Sequence, residues 1–316
     1  MKSSRWQEFK AGMGPRTKEW KFMLSRLRKS PLSIAGMSII IFYAVLALLA
    51  PLLAPPNPSW ALYPSFDPFH IPRESMAPVP ASPSANHPFG TTEGQYDLYY
   101  GIMWGTITAF RVGLWVVGAS LIIGLAIGIV AGYYGGVIDE LMMRFTDVIF
   151  AFPGLILAMA LVAALGASLD NVMLALVLVG WPGYTRLIRG EVLRVKQEDY
   201  VEASKAAGAS DLRVILRHII PNAIYPVVIA ASLDTGAIVL SAAGLSFLGL
   251  GAGPDYADWG QLIARSQNWI FGTRTDPFAH WHTFVLPGVF IFIFVLGWNL
   301  LGDAFRDILD PTLRRR

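Results

Sequence analysis

Residues 198–228 read "EDYVEASKAAGASDLRVILRHIIPNAIYPVV", a charged stretch set inside a very hydrophobic chain. Glu202, Ala203, Ala206 and Ala207 favour helix, Gly208 interrupts it, Asp211 can start a second short helix and Pro221 ends that one. The spacing predicts two short helices around a glycine turn. A merely solvated loop has no need of such regularity, so its weakly polar face is expected to dock on something.

The surroundings decide what kind of protein carries this insert. Of 316 residues, 54% are hydrophobic and 15% charged, with mean hydropathy +0.49, which points to a bilayer. There are no cysteines, which removes disulfides, thiolate nucleophiles, iron–sulfur clusters and Cys-based zinc sites. A net charge of +3 is what basic loops on one side of a membrane produce, so no nucleic-acid partner is expected.

Six continuous apolar runs approach the ~20 residues that a helix needs to cross a bilayer: Leu32 to Ala54, Val112 to Tyr134, Val148 to Gly166, Val172 to Leu187, Ile224 to Leu250 and Phe284 to Gly302. They lack the alternation of barrel strands, so the expected fold is an all-α membrane protein of six transmembrane helices. With the N-terminus inside, the inner segments carry nine, one, seven and four basic residues, leaving outside only Arg73, Arg111, Arg265 and Arg274. Both termini are therefore expected in the cytoplasm.

The expected organisation is a basic tail over 1–31, a first span over 32–54, a proline-rich outer loop over 55–111, a five-helix core over 112–302 and a basic tail over 303–316. The core includes a cytoplasmic segment over 188–223. Thirty-one residues precede the first run, so it reads as an uncleaved span rather than a secretory signal. Trp20, Met23, Leu24 and Leu27 fall on one helical face, the pattern of a short helix lying on the inner leaflet. The outer loop, with Trp60, Tyr63 and Phe66, reads either as a floppy linker or as an ordered cap. Gly124, Gly128 and Gly132 share one face and predict close helix packing; Pro182 predicts a kink in the fourth span.

The order Glu202-Ala203-Ser204, Gly208 and His218-Ile219-Ile220-Pro221-Asn222 resembles the EAA-type coupling segment of permease subunits in ATP-binding-cassette importers. "AGYYGGVIDELMMRFTDVIFAFPGLILAMALVAALG", "GWPGYTRLIRGEVL", "LSFLGLG" and "NLLGDAFRDILDP" narrow the resemblance to the C-type permease of the dipeptide and oligopeptide group. It implies a type I importer permease fold in a prokaryotic inner membrane. It also implies a second, similar permease, two cytoplasmic ATPases that hold ATP and Mg, and an extracytoplasmic substrate-binding protein. The segment from Glu202 to Asn222 would dock on an ATPase. Peptides are the implied cargo, with oligosaccharides and nickel carried by related permeases. The chain departs from the pattern at Gln95-Tyr96-Asp97, where relatives have Gly-Arg-Asp, and at Ala242, where many have glutamate.

Asp234 lies ten residues into the fifth run, roughly 15 Å along a helix and near mid-membrane. A carboxylate there costs at least ~2.5–3.5 kcal/mol, so it should face water or a partner. Two expectations follow: it lines the translocation path, or it is a structural carboxylate satisfied by Ser232, Thr235 or Ser241. An ion-coupled transporter using Asp234 is the rival reading from another class.

No G-x-x-x-x-G-K-[ST] motif occurs, so the chain is not expected to bind ATP by that route, to carry a cofactor or to be an enzyme itself. "GLSFLGLGAGP" reads as a flexible helix end. His280-x-His282 reads as an interfacial pair beside Trp281 rather than a metal site. Asp139-Glu140 and Glu198-Asp199 are expected in cytoplasmic loops, as solvated faces or loop anchors.

Overall fold

The computed structural model describes residues 30–63, 65 and 67–309; the expected inner-leaflet helix around Trp20, and Phe66, lie outside them. The described elements are helical, with only isolated β-bridges between extended residues. Helix α1 (Pro31–Leu53) starts on a Ser30 cap and Pro31, whose missing N–H costs nothing at a first turn. Helix α2 (Leu98–Tyr134) runs for 37 residues. It begins well before the expected Val112, because the Asp97 side chain accepts from Tyr100 N–H and so caps a helix in residues expected to be loop.

The third apolar run is not one helix. It is divided into α3 (Gly136–Phe150) and α4 (Gly154–Leu165), bent by 81°. Pro153 sits at the break, where it cannot donate a backbone N–H and drives Phe152 out of helical geometry. Helix α5 (Leu169–Lys196) carries Pro182 without interruption and absorbs the start of the expected inner segment. Helix α9 (Tyr225–Phe247) and helix α11 (His282–Leu309) complete the bundle, and α11 continues into the expected C-terminal tail. Among the described residues five helices are long and apolar enough to span a bilayer, and six spans result if α3 and α4 count as one.

Gly124, Gly128 and Gly132 make the α2–α5 contact. A Cβ on Gly124 would lie 2.5 Å from Tyr184 Cβ, and one on Gly128 would lie 2.4 Å from Ile188 Cγ2. The stripe lets α2 lie directly on the α5 backbone. Large apolar side chains elsewhere point outward, with Leu48 79% and Leu52 75% exposed, as a surface meant for lipid or another subunit requires.

The proline-rich segment forms an ordered cap over one end of the bundle. Backbone carbonyls in it and in the adjoining chain are met by side-chain donors from α2: Trp104 Nε1–H to Ala54, Tyr100 O–H to Pro68 and Thr108 O–H to Ala257, at 2.9, 2.8 and 2.7 Å. Short backbone pairings join His70 to Tyr256 and Thr91 to Asp97. Trp60 packs edge-on against His87, and Tyr63 is mostly exposed beside Arg73.

Candidate functional site

The segment that opened the sequence reading lies at the other end of α2. Helix α6 (Asp199–Ala206) follows α5 after a two-residue break, and Glu202, Ala203, Lys205 and Ala206 are exposed on it, with Ser204 half-buried. Gly208 has φ +80°, a left-handed turn that glycine adopts without strain, and nothing lies within 4 Å of where its Cβ would be. The chain then enters α7 (Asp211–Val214), a π-turn (Ile215–Ile219) and α8 (Ile220–Ala223). Pro221 does not end this helix as expected. Having no N–H, it sits in the first turn of α8, just past the widened turn in which Ile220 N–H reaches Ile215 O.

Below this surface the segment is fixed by apolar side chains. Val201, Val214 and Ile219 are fully buried with Ile188 and Val192 of α5. His218 is half-buried, its ring 6.2 Å from that of Tyr200, and Asn222 Nδ2–H donates to the His218 carbonyl at 2.6 Å. Leu212 and Leu216 remain 67% and 58% exposed on the second helix, an unusual state for leucines among charged neighbours.

A polar contact that sequence reading missed joins this segment to α2. Tyr133, 4% exposed, donates its hydroxyl to Asp211 Oδ1 at 2.5 Å. Lys205 Nζ lies 4.8 Å from the centre of its ring, and Lys196 Nζ donates to its carbonyl at 2.6 Å. A tyrosine at the end of an apolar run reads as an interfacial anchor, and nothing in the spacing pairs it with Asp211, 78 positions away. Asp139, expected in a loop, stands on α3 and holds Arg189 of α5 through two bonds of 2.5 and 2.6 Å. Glu140 pairs with Arg144 one turn on, whereas Glu198 and Asp199 are exposed at the start of α6.

Asp234 is exposed on α9 and takes no part in any ion pair among the described residues. The structural partners expected for it are engaged elsewhere: Ser232, Thr235 and Ser241 each donate to a carbonyl of their own helix. The group beside its carboxylate is Tyr184 of α5, whose buried hydroxyl is close but makes no well-aligned hydrogen bond. Ala242 is buried on the same helix, in the wall of a gap of about 10 Å³ that also touches Asp258. Asp258 caps α10 (Trp259–Ala264) through Gly260 N–H, and burial pushes its carboxyl above the usual range.

In the cap, the departure at Gln95-Tyr96-Asp97 has a clear geometry. Asp97 caps α2 with one oxygen and meets His87 Nδ1 with the other at 2.5 Å, while His87 Nε2 reaches Glu74 at 3.0 Å. The Asp97 carboxylate raises the His87 pKa above its ordinary 6.5; burial opposes this and Glu74 adds to it. Gln95 Nε2–H donates to the Val79 carbonyl, and Tyr96 lies between Arg73 and Arg265 at 5.2 and 4.1 Å. His280 and His282 are buried rather than interfacial, with ring centres 6.3 Å apart, and His282 Nε2 lies 3.2 Å from the Ala81 carbonyl. Among the described residues no group of three or more metal-binding side chains converges.

Residues 124–315 match the family described as the binding-protein-dependent transport system inner membrane component, and residues 18–74 match the N-terminal transmembrane domain of oligopeptide transport permease C. The chain is 37% identical to the dipeptide transport system permease protein DppC of Alkalihalophilus pseudofirmus, over 93% of this chain and 90% of that one. It is 38% identical to the probable D,D-dipeptide transport system permease protein DdpC of Escherichia coli, over 90% and 89% of the two chains. It is also 38% identical to the glutathione transport system permease protein GsiD of Pectobacterium atrosepticum, over 73% and 75%. The chain belongs to the family of binding-protein-dependent transport system inner membrane components, as a multi-pass permease subunit of an ATP-binding-cassette importer.

Proposed function

We propose that this permease serves an importer of di- or oligopeptides, and that residues 198–223 are its joint to cytoplasmic ATPases. One observation carries the reading: α6 turns Glu202, Ala203, Lys205 and Ala206 outward while Val201, Val214 and Ile219 bind the same segment firmly to α5. A surface helix held so rigidly transmits force rather than yielding to it. Ala203 permits close approach of a partner, Glu202 and Ser204 offer polar contacts, and Gly208 makes the turn. His218, Pro221 and Asn222 shape the second helix behind them.

The partners are a second, homologous permease, two ATPases that hold ATP and Mg, and an extracytoplasmic binding protein. The basic residues place this joint, with both termini, in the cytoplasm. Closure of the ATPases on ATP moves the joint, and the bundles rock so that access to the midplane alternates. Asp234, without a partner on its own helix, faces the path and meets substrate amines or hydroxyls there. The names of the relatives, which are dipeptide and glutathione permeases, support peptides as cargo.

The test is purification of the tagged chain from gently solubilised native membranes, with mass spectrometry of what accompanies it. A second permease and P-loop ATPases are expected. A chain recovered alone in several detergents would overturn the reading and favour ion-coupled transport through Asp234.

A further inference from the structure

We infer that Tyr133 is the pin that makes the joint and the second span move as one body. The inference rests on the proposed role of residues 198–223, and the residue itself lies outside that segment. Apolar contacts tie the joint firmly to α5, but they are non-directional. Tyr133 adds directional contacts at one point. Its hydroxyl bonds Asp211 at the start of α7, its ring lies under Lys205 of α6, and its carbonyl takes a bond from Lys196 of α5. Four helices, α2, α5, α6 and α7, thus meet on one residue.

Its position makes those contacts mechanical. Tyr133 lies in the last turn of α2, the helix whose glycine stripe lies on α5, and the chain turns just after Tyr134 through Gly135 and Gly136, both at positive φ. The turn leads into α3, which Asp139 ties back to Arg189 of α5. A displacement of the joint therefore reaches α2 through the Tyr133 hydroxyl and α3 through the turn that follows it. The carboxylate acceptor makes the hydroxyl bond stronger than a neutral one, and the tyrosine that donates it is buried, while Asp211 is exposed. Tyr133 is a positioning residue: it touches no cargo and works through Asp211 and Lys205.

The absence of cysteine allows nitroxide labels to be placed without removing native thiols. Val137→Cys and Ala207→Cys, both at exposed positions, would report the distance between the inner end of the spans and the joint in the full assembly. With Tyr133 intact, a narrow distance distribution is expected that does not change on adding ATP and vanadate. Tyr133→Phe keeps the ring and the carbonyl but loses the hydroxyl; it should broaden the distribution and let it shift with nucleotide, because the joint then moves without the span. Asp211→Asn, which keeps an acceptor, should stay close to the parent, and Asp211→Ala should behave like Tyr133→Phe.

A distribution in Tyr133→Phe that is as narrow and as indifferent to nucleotide as in the parent would overturn the inference. Broadening without any nucleotide-dependent shift would also overturn it, since that is the signature of local loosening alone. If no ATPase accompanies the chain, the importer reading fails by that result, whereas an unchanged width in Tyr133→Phe overturns the inference whether or not an ATPase is present.

Discussion

The two ends of α2 solve opposite problems. At one end the cap has almost no regular secondary structure, yet its buried His87 and Asp97 are satisfied within the chain: His87 lies between Asp97 and Glu74, and Asp97 caps the helix. At the other end the joint is helical apart from the turn at Gly208, yet it leaves Leu212, Leu216 and the outer face of α6 uncovered. Regularity is therefore no guide to completeness. A segment that closes its own hydrogen bonds is finished without a partner, whereas one that exposes leucines beside charges is waiting for one.

The contact that both ends share should break most severely. Gly128→Leu places a Cβ 2.4 Å from Ile188 Cγ2 and 2.5 Å from the Thr185 carbonyl, which cannot yield as a side-chain tip would. The cost should exceed the ~1–3 kcal/mol of ordinary overpacking, with loss of monodisperse protein in size-exclusion chromatography.

Asp97→Ala should come next, and its effect should stay in the cap. It removes a helix cap, worth ~1 kcal/mol, and takes the Nδ1 partner from the buried His87, which keeps only Glu74; an unpaired buried polar group costs about 1–3 kcal/mol more. Hydrogen exchange should quicken over residues 84–100, while the joint is unaffected. The same pair gives the cap a pH dependence. Because Asp97 raises the His87 pKa, the stabilisation is complete below the ordinary value of 6.5 and is lost as pH rises through the folded value. Protection over residues 84–97, taken relative to the intrinsic exchange rate at each pH, should therefore fall on the alkaline side, and His87→Gln should abolish that fall; protection that falls towards acid instead would contradict the account.

At the joint, Gly208→Leu meets no steric obstacle but places a leucine at φ +80°, a strain of about 1–2 kcal/mol. Assembly should survive, and ATP hydrolysis should become uncoupled from uptake of a labelled dipeptide; unchanged uptake would count against the joint. The smallest effect on stability belongs to Asp234→Asn. The side chain is exposed and its helix neighbours bond elsewhere, so stability should change by no more than about 0.5 kcal/mol. Transport should nevertheless fall for cationic peptides, and equal transport across cargoes and pH would remove Asp234 from the path.

The spans were legible because twenty apolar residues have few other uses, and the joint because Gly208 and the charged face around Glu202 break that monotony. Boundaries were harder. Leu98 begins a helix because of a cap made by Asp97, a residue that also closes a contact with His87 ten positions back. The break at Pro153 was masked by apolar residues on both sides, since composition records hydrophobicity and not direction. Pro221 was read as a stop, whereas a π-turn just before it let the helix continue. Tyr133 is not legible in the sequence because it bonds a residue distant from it, Asp211. A single chain carries no sign of such pairings.

The most direct test of the joint is photo-crosslinking from Ala203, replaced by a photoreactive amino acid in the native membrane, with the adducts identified by mass spectrometry. Ala203 is exposed at the centre of α6, so any docked partner must lie against it. The account predicts adducts with a P-loop ATPase. Reproducible adducts with lipid alone, in cells that also make the rest of the importer, would contradict it.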